Sequence, residues 1–217
     1  MTEETAPRAA LDIACHLNVI VPDAALETLP GALAAIAAAG YARVVLPPLD
    51  PTTTDAAALR GHFSSHGLPP ITIAGQGPGA DVSSADAGER AAGADALRAS
   101  VDFTAALGGD QMNGVPYGLF GHPHAPTSPA AFERAAREVG AVADYAHDRG
   151  VAMTFEVLNR YETSTINTAV QALDFVEASR SEHLRIHLDT FHMAVEEADM
   201  HAAVLLALPK LGYLELG

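Results

Sequence analysis

The chain has one lysine, Lys210, and one cysteine, Cys15, among its 217 residues. Twelve Lys and Arg against 27 Asp and Glu leave a formal charge of -15. That balance works against binding a polyanion, whose affinity rests on cationic contacts to phosphates, so nucleic acid is set aside. A lone cysteine rules out an intramolecular disulfide framework and suits a reducing compartment. Cys15 sits in an apolar run and reads as core. No apolar stretch is long enough to span a membrane, and the acidic start MTEETAPRAA lacks the features of a signal peptide. A soluble, cytoplasmic protein is expected. No Gly-rich turn with a lysine offers a phosphate cradle, which favours unphosphorylated small molecules.

What the chain does have is 49% hydrophobic residues, enough for one full core. A single domain over 1–217 is expected, with residues 1–10 as a flexible tail. Strand-like runs at Leu11–Ile20, Ala42–Pro47, Ile71–Ala74, Asp110–Val115, Val151–Leu158, Leu184–Asp189 and Leu211–Leu216 alternate with helix-like stretches. The latter run near Ala24–Ala39, Ala56–His66, Ala87–Leu107, Thr168–Ala178 and Asp199–Leu208. The clearest helix has Ser128 as N-cap, Pro129 at its first position, Phe132, Ala136, Val139, Ala143 and Ala146 on one face, and Gly150 as its stop. The alternation makes an α/β class with a parallel sheet, and the fold expected is a (β/α)8 TIM barrel. Seven strands are legible, so the eighth is missing and the chain is expected to be incomplete at its C-terminal side.

Two segments carry the chemistry: FEVLNRYE at 155–162 and HLDTFHMAVEE at 187–197. In each, an apolar run reaches an acidic residue at its end, Glu156 or Asp189, then a polar turn bearing Glu162 or His192. Barrel strands deliver catalytic groups in this way. Alternation on Leu184–Asp189 places Arg185, His187 and Asp189 on one face. Carboxylates gathered inside a barrel must be paired or hold a cation. Oxygen donors with about one imidazole suit Mn2+ foremost, with Mg2+ or Co2+ as alternatives. The plainer readings are a salt bridge of Glu156 with Arg160 or Arg185, an N-cap role for Asp189, and a hydrogen-bonded core role for His187.

EVLNRYE and LDTFHMAVEE resemble the strand-end motifs of the D-tagatose 3-epimerase and D-psicose 3-epimerase family, within the xylose isomerase-like TIM barrels. The resemblance in element order runs from Ile13 to Gly217, with only these two motifs specific. It implies that Glu156 ligates a metal and moves a proton, that Asp189 is a metal ligand, and that Glu162 and His192 contact sugar hydroxyls. The implied activity is isomerase chemistry: 3-epimerisation of a ketose or related polyhydroxy carbonyl compound through a cis-enediolate. Three departures stand out. GYLELG replaces a phrase like HFHLGE and puts Glu215 where a metal-binding histidine belongs; the second catalytic glutamate, on the eighth strand, is missing; so is an arginine after the seventh. Metal candidates are therefore Glu156, Asp189 and Glu215, with His187 as substitute.

His16, Asn113 and Tyr117 are further substrate-binding candidates, Tyr117 from the Gly/Pro loop of Gly108–Pro126, the kind that covers a barrel site. His122 and His124 read as surface residues. Gly75–Ala80 fits a dinucleotide pattern formally but reads as a plain turn. Two alternatives stay open: a β-eliminating dehydratase or C-glycoside-cleaving relative, and a non-catalytic or partner-dependent barrel with a degraded metal site. A DNA-repair barrel is disfavoured by the scarcity of basic residues. A carbohydrate substrate, no nucleic acid, no membrane and a possible homo-oligomer complete the expectations.

Overall fold

The structure, a computed structural model, describes residues 12–217 apart from His122. The N-terminal tail, Leu11 and His122 named above lie outside the described residues. Seven strands form one parallel sheet in sequence order: β1 (Ala14–His16), β2 (Arg43–Val45), β3 (Pro70–Gly75), β4 (Gln111–Val115), β5 (Ala152–Glu156), β6 (Leu184–Asp189) and β7 (Leu211–Glu215). Each is joined to the next by helix, the βα order of a TIM barrel.

The helices begin and end where local chemistry dictates. α1 (Leu29–Ala38) carries Pro30 in its first turn. Asp55 caps α2 (Ala56–His66) through the amides of Ala57 and Ala58, and Gly67 closes it in the left-handed conformation. Asp86 and Gly108 do the same for α3 (Ala87–Leu107). In α4 (Pro129–His147) the Ser128 hydroxyl accepts the Ala131 amide, as the sequence predicts. α5 (Ala169–Ser179) starts with a reciprocal capping box between Thr168 and Gln171.

Two corrections concern the elements. The first strand ends at His16, because Leu17–Val19 turn into a 3-10 helix that buries Leu17. Between β6 and the last helix, α7 (Met200–Ala207), lies a helix the sequence reading missed, α6 (Thr190–Glu196). His192 therefore sits on a helix and not in a turn. With Asp189 as N-cap and only seven residues, α6 is too short to show a clear hydrophobic period.

Leu184, Ile186 and Leu188 face the helices and are fully buried. Behind β4–β6, Phe155 and Phe175 meet at 5.1 Å, Phe132 and Phe175 at 5.3 Å, and Tyr117 closes the cluster edge-on. A second apolar cluster of Leu29, Leu33, Ile36, Leu59, Phe63 and Leu107 lies behind β1–β3. β3 and β4 approach so closely that a Cβ on Gly114, at φ +121°, would lie 2.1 Å from the Ala74 carbonyl oxygen.

Ile186 pairs with Leu211 and His187 with Tyr213, so Gly212 is an extra residue that bulges β7. β1 and β7 are the outer strands of the sheet, yet His16 Nε2 reaches Glu215 Oε1 at 3.1 Å, so the sheet curls far enough to bring its two ends together at the carboxyl edge. Between them lies a cavity of about 540 Å3 lined by Ile13, Ala14, His16, Tyr213, Leu214 and Glu215, among others.

Candidate metal centre

The carboxyl ends of β5, β6 and β7 set Glu156, Asp189 and Glu215 side by side. Glu156 is in register with His187, and Asp189 with Glu215. Because alternate residues of a strand share a face, His187 and Asp189 both point into the barrel. His16, at the end of β1, completes the ring from the other side.

Asp189 does two things with two oxygens. Oδ1 accepts the Phe191 amide at 2.9 Å as the N-cap of α6, while Oδ2 faces His192 Nε2 at 3.8 Å. Capping by Oδ1 leaves Oδ2 directed toward the candidate site. Burial pushes the Asp189 carboxyl up, against the Phe191 amide that favours its charged form. Glu215 lies between two imidazoles, His16 Nε2 at 3.1 Å and His187 Nε2 at 3.2 Å, and they hold its carboxyl well below the usual range. The same contact raises His16, against its partial burial.

A second network orients His192. Its Nδ1 accepts from the Asn159 amide at 3.2 Å and faces Asn159 Nδ2 at 2.8 Å, which assigns the ring proton to Nε2, 3.3 Å from Glu156 Oε1. Burial opposes protonation of His192, but Glu156, Asp189 and Glu162 hold it net above its ordinary value. Asn159 also donates to Glu162 Oε1 at 2.9 Å and accepts the Tyr161 amide at 3.0 Å. One buried amide thus fixes both residues expected to touch a sugar. Asn159 stands inside FEVLNRYE, but in sequence it is an ordinary turn residue; its role appears only once α6 folds back over β5.

The salt-bridge alternative for Glu156 fails. Arg160 is held by Glu196 through bonds of 2.9 Å (Nε to Oε1) and 2.6 Å (Nη2 to Oε2), and Arg185 donates to the carbonyls of Glu182 and Leu184. Among the described residues no Lys or Arg pairs with Glu156, Asp189 or Glu215.

Asn113 is not brought to this cluster. Its Oδ1 accepts from Gln111 Nε2 at 2.8 Å and Thr154 Oγ1 at 2.7 Å, a layer deeper in the barrel than Glu156. Tyr117, weighed as a substrate contact, is a core residue whose hydroxyl donates to the Glu156 carbonyl at 2.8 Å. The loop after β4 is laced to the turn bearing Glu162 by Gly121 N to Glu162 O, 3.0 Å, and by Thr127 with Ser164. His124 is exposed, Cys15 is buried, and Gly77 bridges Ala80 in a tight turn, each as expected.

Two overlapping triads emerge, Glu156–His187–Glu215 and Glu156–Asp189–His192, each with its candidate donor atoms within 4.8 Å of one another. Both ring nitrogens of His187 and Nε2 of His16 are buried without a well-formed hydrogen bond, the two Nε2 atoms meeting Glu215 only as ion-pair contacts. Three carboxylates with no Lys or Arg paired to them among the described residues, beside these imidazole nitrogens, are a donor set that fits a divalent cation.

A fold of consecutive parallel βα units with acidic side chains converging at its carboxyl edge defines a TIM-barrel protein with a candidate metal site there. Residues 33–217 match the family model described as xylose isomerase-like TIM barrel, and the chain belongs to that family. It is 37% identical over 179 residues to a ketose 3-epimerase of Arthrobacter globiformis, covering 82% of this chain and 62% of that protein. An L-ribulose 3-epimerase of Mesorhizobium japonicum is 34% identical over 208 residues, 94% of this chain and 69% of the relative. Among solved structures, D-allulose 3-epimerase from Methylomonas sp. in complex with D-allulose superposes with a TM-score of 0.88 at 33% identity, covering 94% of this chain and 71% of that one. The chain spans 62% and 65% of the length of two of the curated relatives it matches.

Proposed function

We propose that this chain carries the metal-binding part of a ketose 3-epimerase, an isomerase acting on an unphosphorylated ketose. The observation that carries the reading is the position of Glu156, the one carboxylate common to both donor triads and paired with no Lys or Arg among the described residues. It is supported by the likeness to ketose and L-ribulose 3-epimerases.

In this reading Glu156 and Asp189 ligate the cation with Glu215, and Glu156 also removes the proton beside the ketose carbonyl. A cation held there would supply Lewis acidity toward the carbonyl oxygen, easing proton removal by Glu156. Glu162 and His192 hold substrate hydroxyls, positioned by Asn159. His192 presents an N–H toward Glu156, so it can donate to an oxygen lying between them. His16 lines the mouth. Mn2+ is the expected ion, with Mg2+ and Co2+ as alternatives. Inversion requires a second acid/base on the opposite sugar face. A cytoplasmic location fits the lone cysteine; among the described residues no helix is long and apolar enough to cross a membrane.

The relatives give no support to β-elimination, and the assembled triads weigh against a barrel with a degraded metal site. The test is incubation of Mn2+-supplemented protein with L-ribulose, D-psicose and other free ketoses in D2O, followed by NMR. Deuterium entering at C3 in the parent, and not in Glu156→Gln, supports proton abstraction by Glu156. No exchange with any ketose in metal-loaded protein would refute it.

A further inference from the structure

His187 is 2% exposed, and neither ring nitrogen has a hydrogen-bond partner. Buried polar groups are almost always satisfied, so an orphaned imidazole asks for an explanation. Its Nε2 lies 3.2 Å from Glu215 Oε2, an ion-pair contact whose geometry falls short of a hydrogen bond. The Tyr213 ring packs edge-on against it at 4.8 Å and fixes its plane. Donor atoms of Glu156, His187 and Glu215 all lie within 4.8 Å of one another. An octahedral ion with bonds of about 2.1 Å separates its donors by about 3.0 Å or about 4.2 Å, so the triad need close only slightly to share one ion.

The other two imidazoles are placed differently. His192 Nδ1 is engaged by Asn159, and its Nε2 carries a proton toward Glu156. His16 approaches Glu215 on the opposite oxygen, Oε1, and belongs to neither triad.

We propose that His187 supplies the nitrogen donor of the cation centre, beside the oxygen donors Glu156, Asp189 and Glu215. The inference rests on the reading of this site as a cation centre and adds the identity of its donors. A nitrogen in the set favours Mn2+ and Co2+ over Mg2+ and Ca2+, which prefer oxygen alone. His16 then acts as a positioning residue, holding Glu215 from the β1 side.

Pulsed EPR of Mn2+ bound to the full chain tests this directly. The parent is expected to show 14N coupling from a coordinated imidazole. That coupling disappears in His187→Gln and persists in His16→Gln and His192→Gln. Far-UV circular dichroism checks that the variants fold. As a second, independent variant, Glu215→Gln keeps the nitrogen coupling but weakens Mn2+ by at least about tenfold. Coupling that persists in His187→Gln, coupling that vanishes in His16→Gln or His192→Gln instead, or unchanged Mn2+ affinity in Glu215→Gln overturns the assignment. Bound Mn2+ without any nitrogen coupling in the parent overturns the donor identity and leaves the cation centre standing. A free six-line Mn2+ signal undiminished by protein overturns both.

Discussion

Replacing Asn159 by alanine removes three side-chain hydrogen bonds at once: to Glu162 Oε1 at 2.9 Å, to His192 Nδ1 at 2.8 Å and from the Tyr161 amide at 3.0 Å. The bond to a carboxylate contributes about 1.5–3 kcal/mol and each neutral one about 0.5–1.5 kcal/mol. Glu162 is only half-buried and water can satisfy it, so the lower part of the sum applies, roughly 2.5–4 kcal/mol. Urea unfolding of the metal-free protein measures this directly. Asn159→Asp separates stability from orientation. It keeps the acceptor for Tyr161 but turns a carboxylate toward Glu162 and toward the His192 Nδ1 lone pair. The imidazolium becomes the favoured form of His192, and its 15N resonances should titrate at higher pH than in the parent. A loss below about 1 kcal/mol in Asn159→Ala, or an unmoved His192 titration in Asn159→Asp, would refute the view that this amide organises the site.

Gly114→Ala forces a side chain to a φ of +121° against the Ala74 carbonyl and should cost roughly 3–5 kcal/mol, read as a lowered urea midpoint. Gly150→Ala, at φ +71° in open space, should cost only about 1–2 kcal/mol. Phe175→Ala opens the aromatic cluster behind β5 and should cost about 3–5 kcal/mol by the same assay. The His16–Glu215 contact sets a pH dependence in metal-free protein. Glu215 is lowered by His16 and His187, so its contribution is present above its ordinary value of 4.5 and fades as pH falls through the depressed one. His16 is raised by Glu215, so its contribution is present below its ordinary value of 6.5 and fades as pH rises through the elevated one. Thermal midpoints should therefore drop above pH 6.5 in the parent, and His16→Gln should flatten that limb.

Much of this was legible in the sequence because parallel βα units punctuate themselves. Ser128–Pro129 mark a helix start by the hydroxyl offered to an orphaned amide, and Leu184, Ile186 and Leu188 mark a helix-covered strand by alternation. Glu156 and Asp189 stood out as candidates because an acid at the end of an apolar strand is costly without a task, and the fold brings the two together. What sequence could not show were the long-range pairings. Asn159 meets His192 across 33 positions, and His16 meets Glu215 only because the sheet curls. Tyr117 and Asn113 look like loop and strand-end polar groups in one dimension, yet the fold turns both into internal supports. α6 escaped because seven residues are too few to show a helical period, even with Asp189 offering an N-cap.

The central claim is that Glu156 and Asp189 build a divalent-cation centre, and metal content tests it most directly. Protein purified without added metal, then exposed to Mn2+ and desalted, should retain close to one equivalent by inductively coupled plasma mass spectrometry. Glu156→Gln and Asp189→Asn should each retain little. Metal absent from the parent, or equally retained by all three proteins, would contradict the account.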